Sequence, residues 1–174
     1  MVKTLVRPTG IECSFGEEEL IVSKTDLKGR VTYANDVFVR MSKFPMQELM
    51  GAPHSLIRHP DMPRCVFKLL WDTVDAKQEI FAYLINMARN GDHYWVFAHV
   101  TPTFDAKRNI IGYHSNRRKP ERAQVEKVKP LYAALLAEEA RPDNRKDGML
   151  RGYDMLVSTL KGQGLEYDEF VFAI

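Results

Sequence analysis

The run LIVSKTDLKGRVTYAND at residues 20–36 is the most informative stretch of this 174-residue chain. Residues 20–26 and 31–33 are rich in β-branched and aromatic side chains, and Gly29 lies between them. Two short β-prone segments on either side of a glycine-containing turn predict a β-hairpin. Asn35 follows the second segment directly. Because its side-chain oxygen can accept a hydrogen bond from a free N–H group at a helix start, it predicts that a short helix begins next.

The chain beyond this hairpin predicts short helices followed by three more strands. Residues 43–61 contain three prolines and one glycine, so only short helical turns fit there, and a longer amphipathic helix is predicted after them. Asn90-Gly91 is the strongest hairpin signal, since both central residues of such a turn need positive φ. It separates the apolar residues 80–87 from the alternating residues 94–103, and residues 110–115 supply a fifth strand.

The last third of the chain has a different, helical pattern. Residues 121–140 carry apolar side chains at helical spacing, and Pro130 inside them predicts a kink or a restart. Residues 141–144 are a linker, and residues 149–160 predict a second amphipathic helix. The final residues, 167–174, are aromatic and apolar, so we expect them to dock against the rest of the chain or a partner.

Composition and charge exclude several classes of protein. The chain has 25 basic and 23 acidic residues, and this balance gives no electrostatic reason to expect nucleic acid or an anionic membrane as a partner. It contains no apolar stretch long enough to span a membrane, and its two cysteines cannot build a disulfide framework. No catalytic motif and no metal site is predicted, and Asp92 is expected to be exposed at a hairpin tip. We therefore predict a cytoplasmic protein that is not an enzyme.

Several local runs narrow the fold further. They are TYANDVF at 32–38, PHSLIRHPDMP at 53–63, NGDHYWV at 90–96, PLY at 130–132, EIFAY at 79–83 and GYHSNRRKP at 112–120. These runs resemble PAS domains of the aerotaxis-receptor type. The likeness covers residues 20–136. It is closest to the free-standing cytoplasmic PAS proteins that partner a separate membrane-bound chemoreceptor in energy taxis.

This resemblance implies the fold class, the domain plan and a cofactor. The expected fold is α+β, a PAS fold in which a five-stranded antiparallel sheet carries short helices on one face, followed by a C-terminal helical extension. The expected division is an N-terminal cap at 1–18, a PAS sensor domain at 19–119 and the helical extension at 120–174. Family members hold a flavin, typically FAD, between the sheet and the short helices, and they report its redox state. The expected partner is a chemoreceptor or another signalling protein, or a second copy of this chain.

The resemblance also implies the residues that contact the cofactor. The residues expected to line or brace the flavin site are Asn35, Arg58, His59, Asp61 and Asn86. Flavin-binding relatives carry a tryptophan at the start of the third strand, where this chain has Ile80, and Phe81 beside it is the expected substitute for the apolar wall. Trp95 faces either the ligand or a partner helix. From the residues alone, Arg58 and Asp61 could equally form an ion pair that pins their loop.

Two other functions remain open at this level. A haem-binding gas sensor would use His59 or His99 as the axial ligand. A ligand-free PAS adaptor would act only through dimerisation of its sheet and tail, and the loss of the family tryptophan at Ile80 favours it. Cys65 lacks the surroundings of the photosensory cysteine that forms a flavin adduct, so we expect a small buried hydrophobic residue there.

Overall fold

The computed structural model describes residues 6–174, which contain five strands in one antiparallel sheet. The strands are β1 (Ile21–Thr25), β2 (Val31–Ala34), β3 (Ile80–Met87), β4 (His93–Phe104) and β5 (Ile110–Arg118). Their order across the sheet is β2-β1-β5-β4-β3. Both predicted hairpins form, β1 with β2 and β3 with β4. The predicted α+β fold, a five-stranded antiparallel sheet with helices, is confirmed.

Six α-helices complete the described chain. They are α1 (Asp36–Ser42), α2 (Met46–Leu49), α3 (Arg64–Asp75), α4 (Arg122–Glu139), α5 (Arg145–Gly162) and α6 (Tyr167–Ala173), with a 3-10 turn over His54–Ile57. No helix in residues 6–174 is both long enough and apolar enough to cross a membrane.

Asn35 joins the first hairpin to α1 as its sequence position predicts. Its Oδ1 accepts hydrogen bonds from the backbone N–H of Phe38 and of Val22, both at 3.0 Å. Its Nδ2 donates to the carbonyl oxygen of Leu20 at 2.8 Å. The first two contacts cap the helix and tie it to β1, so the direction of the chain after the hairpin is set by one amide side chain.

The two faces of the sheet pack against different parts of the chain. Tyr94, Val96 and Ala98 are fully buried on the face that packs against α1 and α3. The alternate residues of β4 face the tail, where Trp95 stacks on Tyr132 of α4 at 6.2 Å between ring centroids. The Tyr132 hydroxyl also donates to a β3 carbonyl oxygen at 2.6 Å. The tail therefore covers the sheet on the side opposite the short helices.

The tail forms the predicted helices with one difference in their bounds. α4 runs through Pro130 as one helix, so of the two predicted alternatives, a kink or a restart, the restart is wrong. α5 begins at Arg145 rather than Met149, because the Asn144 side chain accepts from the N–H groups of the next turn and starts the helix four residues earlier. The last helix, α6, places Phe172 edge-on against a β3 phenylalanine at 4.8 Å, so the final segment docks on the sheet.

Asp92 is buried, and the prediction that it lies exposed at a hairpin tip is wrong. Its carboxylate accepts hydrogen bonds from Lys43 Nζ at 2.6 Å, and from Thr9 Oγ1 and Asn90 Nδ2, both at 2.7 Å. The N-terminal segment lies along this turn, where the Thr9 N–H donates to the carbonyl oxygen of Gly91. That segment is about eighty residues distant in sequence, so local turn chemistry could not have predicted that it buries Asp92.

Candidate cofactor-binding site

A cavity of about 330 Å³ lies between the inner face of the sheet, the 3-10 turn and α3. This volume falls at the lower end of the range of small-molecule sites, roughly 300–1,000 Å³. Most of the surface that the wall presents to the cavity is apolar. Its apolar and aromatic side chains are Ile57, Phe67, Leu70, Trp71, Leu84, Val100 and Tyr113.

Helix α3 supplies three of these apolar and aromatic side chains. Phe67, Leu70 and Trp71 lie three and four residues apart, so the helical repeat brings them to one face. Trp71 contacts Tyr113 of β5 edge-on, with the ring centroids 5.1 Å apart. The Tyr113 hydroxyl donates to Asp75 at the end of α3, at 2.6 Å. This hydrogen bond and the ring contact fix α3 against the sheet and keep the flat aromatic wall in place.

Two arginines reach the cavity without an acidic partner. Arg117 on β5 is only 1% exposed, donates to Ser23 Oγ and lies 4.6 Å above the ring of Phe38. Arg58 lies 3.9 Å above the ring of Phe67. Neither forms an ion pair with any carboxylate in residues 6–174. Burial lowers the pKa of Arg117 to about 10, so the guanidinium remains charged at neutral pH.

Polar atoms without hydrogen-bond partners concentrate at this cavity. Of six such buried side-chain atoms in the described part of the chain, five belong to residues that line the cavity, and alternation along β5 directs one of these, His114 Nε2, away from it, which leaves four. These atoms are Thr25 Oγ1, Arg58 Nε, Asn86 Nδ2 and Arg117 Nε. Nearly all buried polar groups in folded proteins are paired, so a cluster without protein partners is typical of a place that takes up ordered water or a polar ligand. Three of the four are obligate donors, and the ligand they require therefore offers acceptor atoms or negative charge.

His54 adds a neutral polar group next to the buried arginine. Its Nε2 lies 3.1 Å from Ser23 Oγ and 3.5 Å from Arg117 Nη1. Burial, reinforced by the positive charges of Arg117 and Arg58, lowers the pKa of His54 to about 3. The imidazole is therefore neutral at physiological pH, and one of its ring nitrogens can accept a hydrogen bond. This arrangement leaves the positive charge of the site on the two arginines.

Of the seven residues proposed from sequence, the structure brings Arg58 and Asn86 together in the cavity wall. Their backbones also form an isolated antiparallel bridge. Asn35 is outside the wall, and its amide is occupied as the cap of α1. His59 is buried beside the cavity, where its Nδ1 accepts from the backbone N–H of Asp61 at 3.1 Å. Asp61 itself is 76% exposed and forms no ion pair with Arg58.

The other two, Phe81 and Trp95, lie on the opposite face of the sheet. Side chains alternate along a strand, so the inward direction of Asn86 on β3 turns Phe81 outward. There Phe81 stacks on His99 at 4.1 Å between ring centroids, under α6. Trp95 packs against α4. The aromatic wall of the cavity comes instead from Phe67 and Trp71 of α3.

Comparison with known proteins agrees with this architecture. Residues 31–117 match the family described as PAS fold. The chain belongs to the PAS family. Its PAS region is 40% identical over 121 residues to the aerotaxis receptor of Escherichia coli K12, a match that covers 70% of this chain and 24% of the receptor. The predicted resemblance to PAS domains of the aerotaxis-receptor type is confirmed.

More distant PAS relatives extend the comparison. The nitrogen fixation regulatory protein of Klebsiella pneumoniae is 28% identical over 102 residues, which cover 59% of this chain and 21% of that protein. The chain thus spans about a quarter or less of the length of these two curated relatives. A solved light-oxygen-voltage domain, studied with a flavin analogue, superposes with a TM-score of 0.56 at 17% identity. That match covers 71% of this chain and 90% of the other, and it shows a shared fold.

Sequence reasoning missed three residues that dominate the PAS cavity. Trp71 could have been found, because it lies four residues after Phe67 on the apolar stripe of a predicted helix. His54 and Arg117 could not have been found in this way. Their partnership joins a turn to β5 across 63 residues, and only the sheet register brings the two side chains together.

Proposed function

We propose that this PAS protein binds FAD in the cavity and acts in the cytoplasm as a sensor of redox or energy state. In this proposal residues 19–119 are the sensor, and the helical extension at 120–174 passes its state to a chemoreceptor-type partner or to a second copy of the chain. The observation that carries the proposal is the cluster of unpaired donors and uncompensated arginines in a cavity with an aromatic wall.

The chemistry of the cavity fits a flavin. A flavin ring is flat and apolar along its faces, and it has carbonyl oxygens and ring nitrogens at one edge. Phe67 and Trp71 offer flat aromatic surface, whereas Asn86, Arg58 and Arg117 offer N–H donors to acceptor atoms. The two guanidinium groups also favour the negative charge of a phosphate or of a reduced ring. When bound, the flavin would supply electron transfer, and the residues of this chain would hold it, orient it and respond to its charge.

The haem alternative has less support from the geometry. Its two proposed ligands are His59 and His99. The Nδ1 of His59 is engaged by the Asp61 backbone, and His99 pairs with Glu79 on the outer face of the sheet, 2.6 Å from its carboxylate. Neither histidine belongs to the cavity wall. His54 does belong to the cavity wall, but its Nε2 lies against Ser23 and Arg117.

The visible absorption spectrum of the purified protein tests the proposal directly. A flavin spectrum, with FAD released on denaturation or taken up by the apoprotein, is the expected result. A protein without absorption that takes up no added FAD would leave the ligand-free adaptor as the function, and a Soret band would indicate haem.

A substitution at Arg117 sharpens this test, because it should have opposite effects on apoprotein stability and on ligand binding. In the apoprotein, Arg117→Met removes a buried cation without a counter-charge, so stability should stay the same or rise. FAD affinity should fall by about ten- to a hundredfold, which corresponds to the roughly 1.5–3 kcal/mol of a charged hydrogen bond. Arg118→Met, at the exposed neighbouring position, is the matched control and should change neither quantity. Equal FAD affinity in the two variants would contradict the proposed role of Arg117.

A further inference from the structure

Glu139 is a buried carboxylate that belongs to the tail and lies outside the cavity. It is the last residue of α4 and is 7% exposed. Its Oε1 accepts a hydrogen bond from the backbone N–H of Cys65 at 2.7 Å. Its Oε2 accepts from the backbone N–H of Arg64 at 3.1 Å and lies 3.3 Å from the Arg64 guanidinium. Both oxygens are thus used by the first two residues of α3.

These contacts give α3 the N-terminal cap that its own sequence lacks. The first N–H groups of a helix have no partner within the helix and carry partial positive charge. Pro63 occupies the position before α3 and makes no side-chain capping hydrogen bond. A residue from the tail, about 75 positions later in the chain, supplies the missing acceptor. The start of α3 therefore depends on the tail being docked.

Two glycines of α5 close the other side of Glu139. A Cβ atom added at Gly152 would lie 2.8 Å from Glu139 Cγ and 3.3 Å from Cys65 Sγ. One added at Gly148 would overlap the Glu139 carbonyl oxygen. Both glycines are buried within α5. The close approach that they permit holds the carboxylate between α3 and α5 and covers the Cys65 thiol.

The helix that Glu139 caps is also the aromatic wall of the cavity. Phe67 and Trp71 line the cavity from α3, and the Arg58 guanidinium lies on the Phe67 ring. We infer that Glu139 is a positioning residue that couples the tail to the cavity. When α4 and α5 dock, they order the start of α3 and thereby position the cavity wall. A ligand that binds against this wall stabilises the docked tail to the same extent, because coupling between two sites is reciprocal. The inference rests on the proposed function, because it requires the cavity to bind a ligand.

Cys65 provides a reporter for this coupling. The chain has two cysteines, so a Cys13→Ser background leaves Cys65 as the single thiol, fully buried beneath Gly152. In that background, Glu139→Gln should accelerate alkylation of Cys65 by N-ethylmaleimide by roughly tenfold or more, because burial and the Glu139 carboxylate, which together raise the pKa of the thiol, are both reduced, and only the FAD affinity reports the coupling by itself. The matched control is Glu138→Gln. Glu138 pairs with Arg141 and Arg151 but makes no contact with α3 that would position the cavity wall, so its labelling rate should match the parent. Far-UV circular dichroism confirms that each variant is folded.

Titration with FAD completes the test. FAD should slow Cys65 labelling in the parent, and Glu139→Gln should bind FAD about fivefold or more weakly than Glu138→Gln. Should Glu139→Gln prove unfolded, Gly152→Ala replaces it, since its added methyl group would press on the Glu139 side chain while the charge of the carboxylate is kept. Equal labelling rates in the Glu139 and Glu138 variants would overturn the inference, as would faster labelling with unchanged FAD affinity. Failure of the parent to bind FAD would refute the proposed function, and the coupling with it.

Discussion

Replacement of Gly148 by alanine tests how closely α4 and α5 pack. In an isolated helix this change is favourable, because alanine is about 1 kcal/mol better than glycine in a helix interior. In this protein the added Cβ would overlap the carbonyl oxygen of Glu139, which is backbone and cannot rotate away. The two helices would have to separate, and the hydrogen bonds of Glu139 to α3 would lengthen. Helix propensity therefore predicts that Gly148→Ala raises the free energy of unfolding, whereas packing predicts that it lowers it.

The packing effect should be the larger one. Overpacking of a well-packed core costs about 1–3 kcal/mol, and a weakened helix cap costs about 1 kcal/mol more. After subtraction of the gain in propensity, Gly148→Ala should lower the free energy of unfolding by about 1–3 kcal/mol. Gly162→Ala is the matched control in the same helix, since a Cβ at Gly162 meets nothing within 4 Å. It should raise the free energy of unfolding slightly, by at most about 1 kcal/mol.

Urea unfolding followed by circular dichroism measures both variants. Opposite signs for the two alanines would support the packing of α5 on Glu139. Equal stabilisation of both variants would mean that α4 and α5 lie farther apart than in this structure. Glu139 would then not be held against the start of α3, and it could not link the tail to that helix.

Three further predictions concern pH and a single hydrogen bond. Burial and the charge of Arg117 lower the pKa of His54 to about 3, so the unfolded chain binds the extra proton between about pH 6.5 and 3. Stability should fall as pH falls through this window, and the slope of unfolding free energy against pH should be smaller in His54→Gln. Hydrogen bonds, led by that from Lys43, hold the pKa of Asp92 well below its usual range. The stability from Asp92 is present above about pH 4 and lost below it, so Asp92→Asn should flatten only the acidic end of the same curve. Tyr132→Phe removes the buried hydrogen bond to β3 and should lower the free energy of urea unfolding by about 1–2 kcal/mol, without a change in the pH dependence.

The elements that local chemistry controls could be predicted from the sequence. The first hairpin, the cap at Asn35 and the position of the turn at Asn90-Gly91 all depend on residues within a few positions of one another. The expected positive φ at both residues of that turn is wrong, since Gly91 has it and Asn90 does not. The start of α5 at Arg145 also depends on a local cap, that of Asn144, but Gly148 and Gly152 disfavour helix locally. Only the close contact with Glu139 of α4 and Cys65 of α3 explains why these two glycines lie inside a helix. Intrinsic propensity is overridden where tertiary packing needs the smallest residue.

The residues of the candidate site also differ in whether local sequence patterns can predict their positions. Asn86 and Phe81 are five positions apart on β3, so strand alternation puts them on opposite faces of the sheet, and the sequence pattern alone is sufficient to separate them. Arg117 is different. Its neighbours on β5 suggest an ordinary basic strand end, and its burial becomes visible only when β1 and the 3-10 turn lie over it.

A buried guanidinium with an unpaired Nε lowers the stability of the ligand-free fold, since desolvation of its charge is not offset by a carboxylate. The same holds to a lesser degree for Arg58, which is half-buried and also has an unpaired Nε. A chain selected only for stability would carry apolar residues at both positions. Their presence is best explained by an anionic or acceptor-rich ligand that pairs with them, so the apoprotein should be the less stable form. FAD should then raise the melting temperature of the wild type, and it should raise that of Arg117→Met far less.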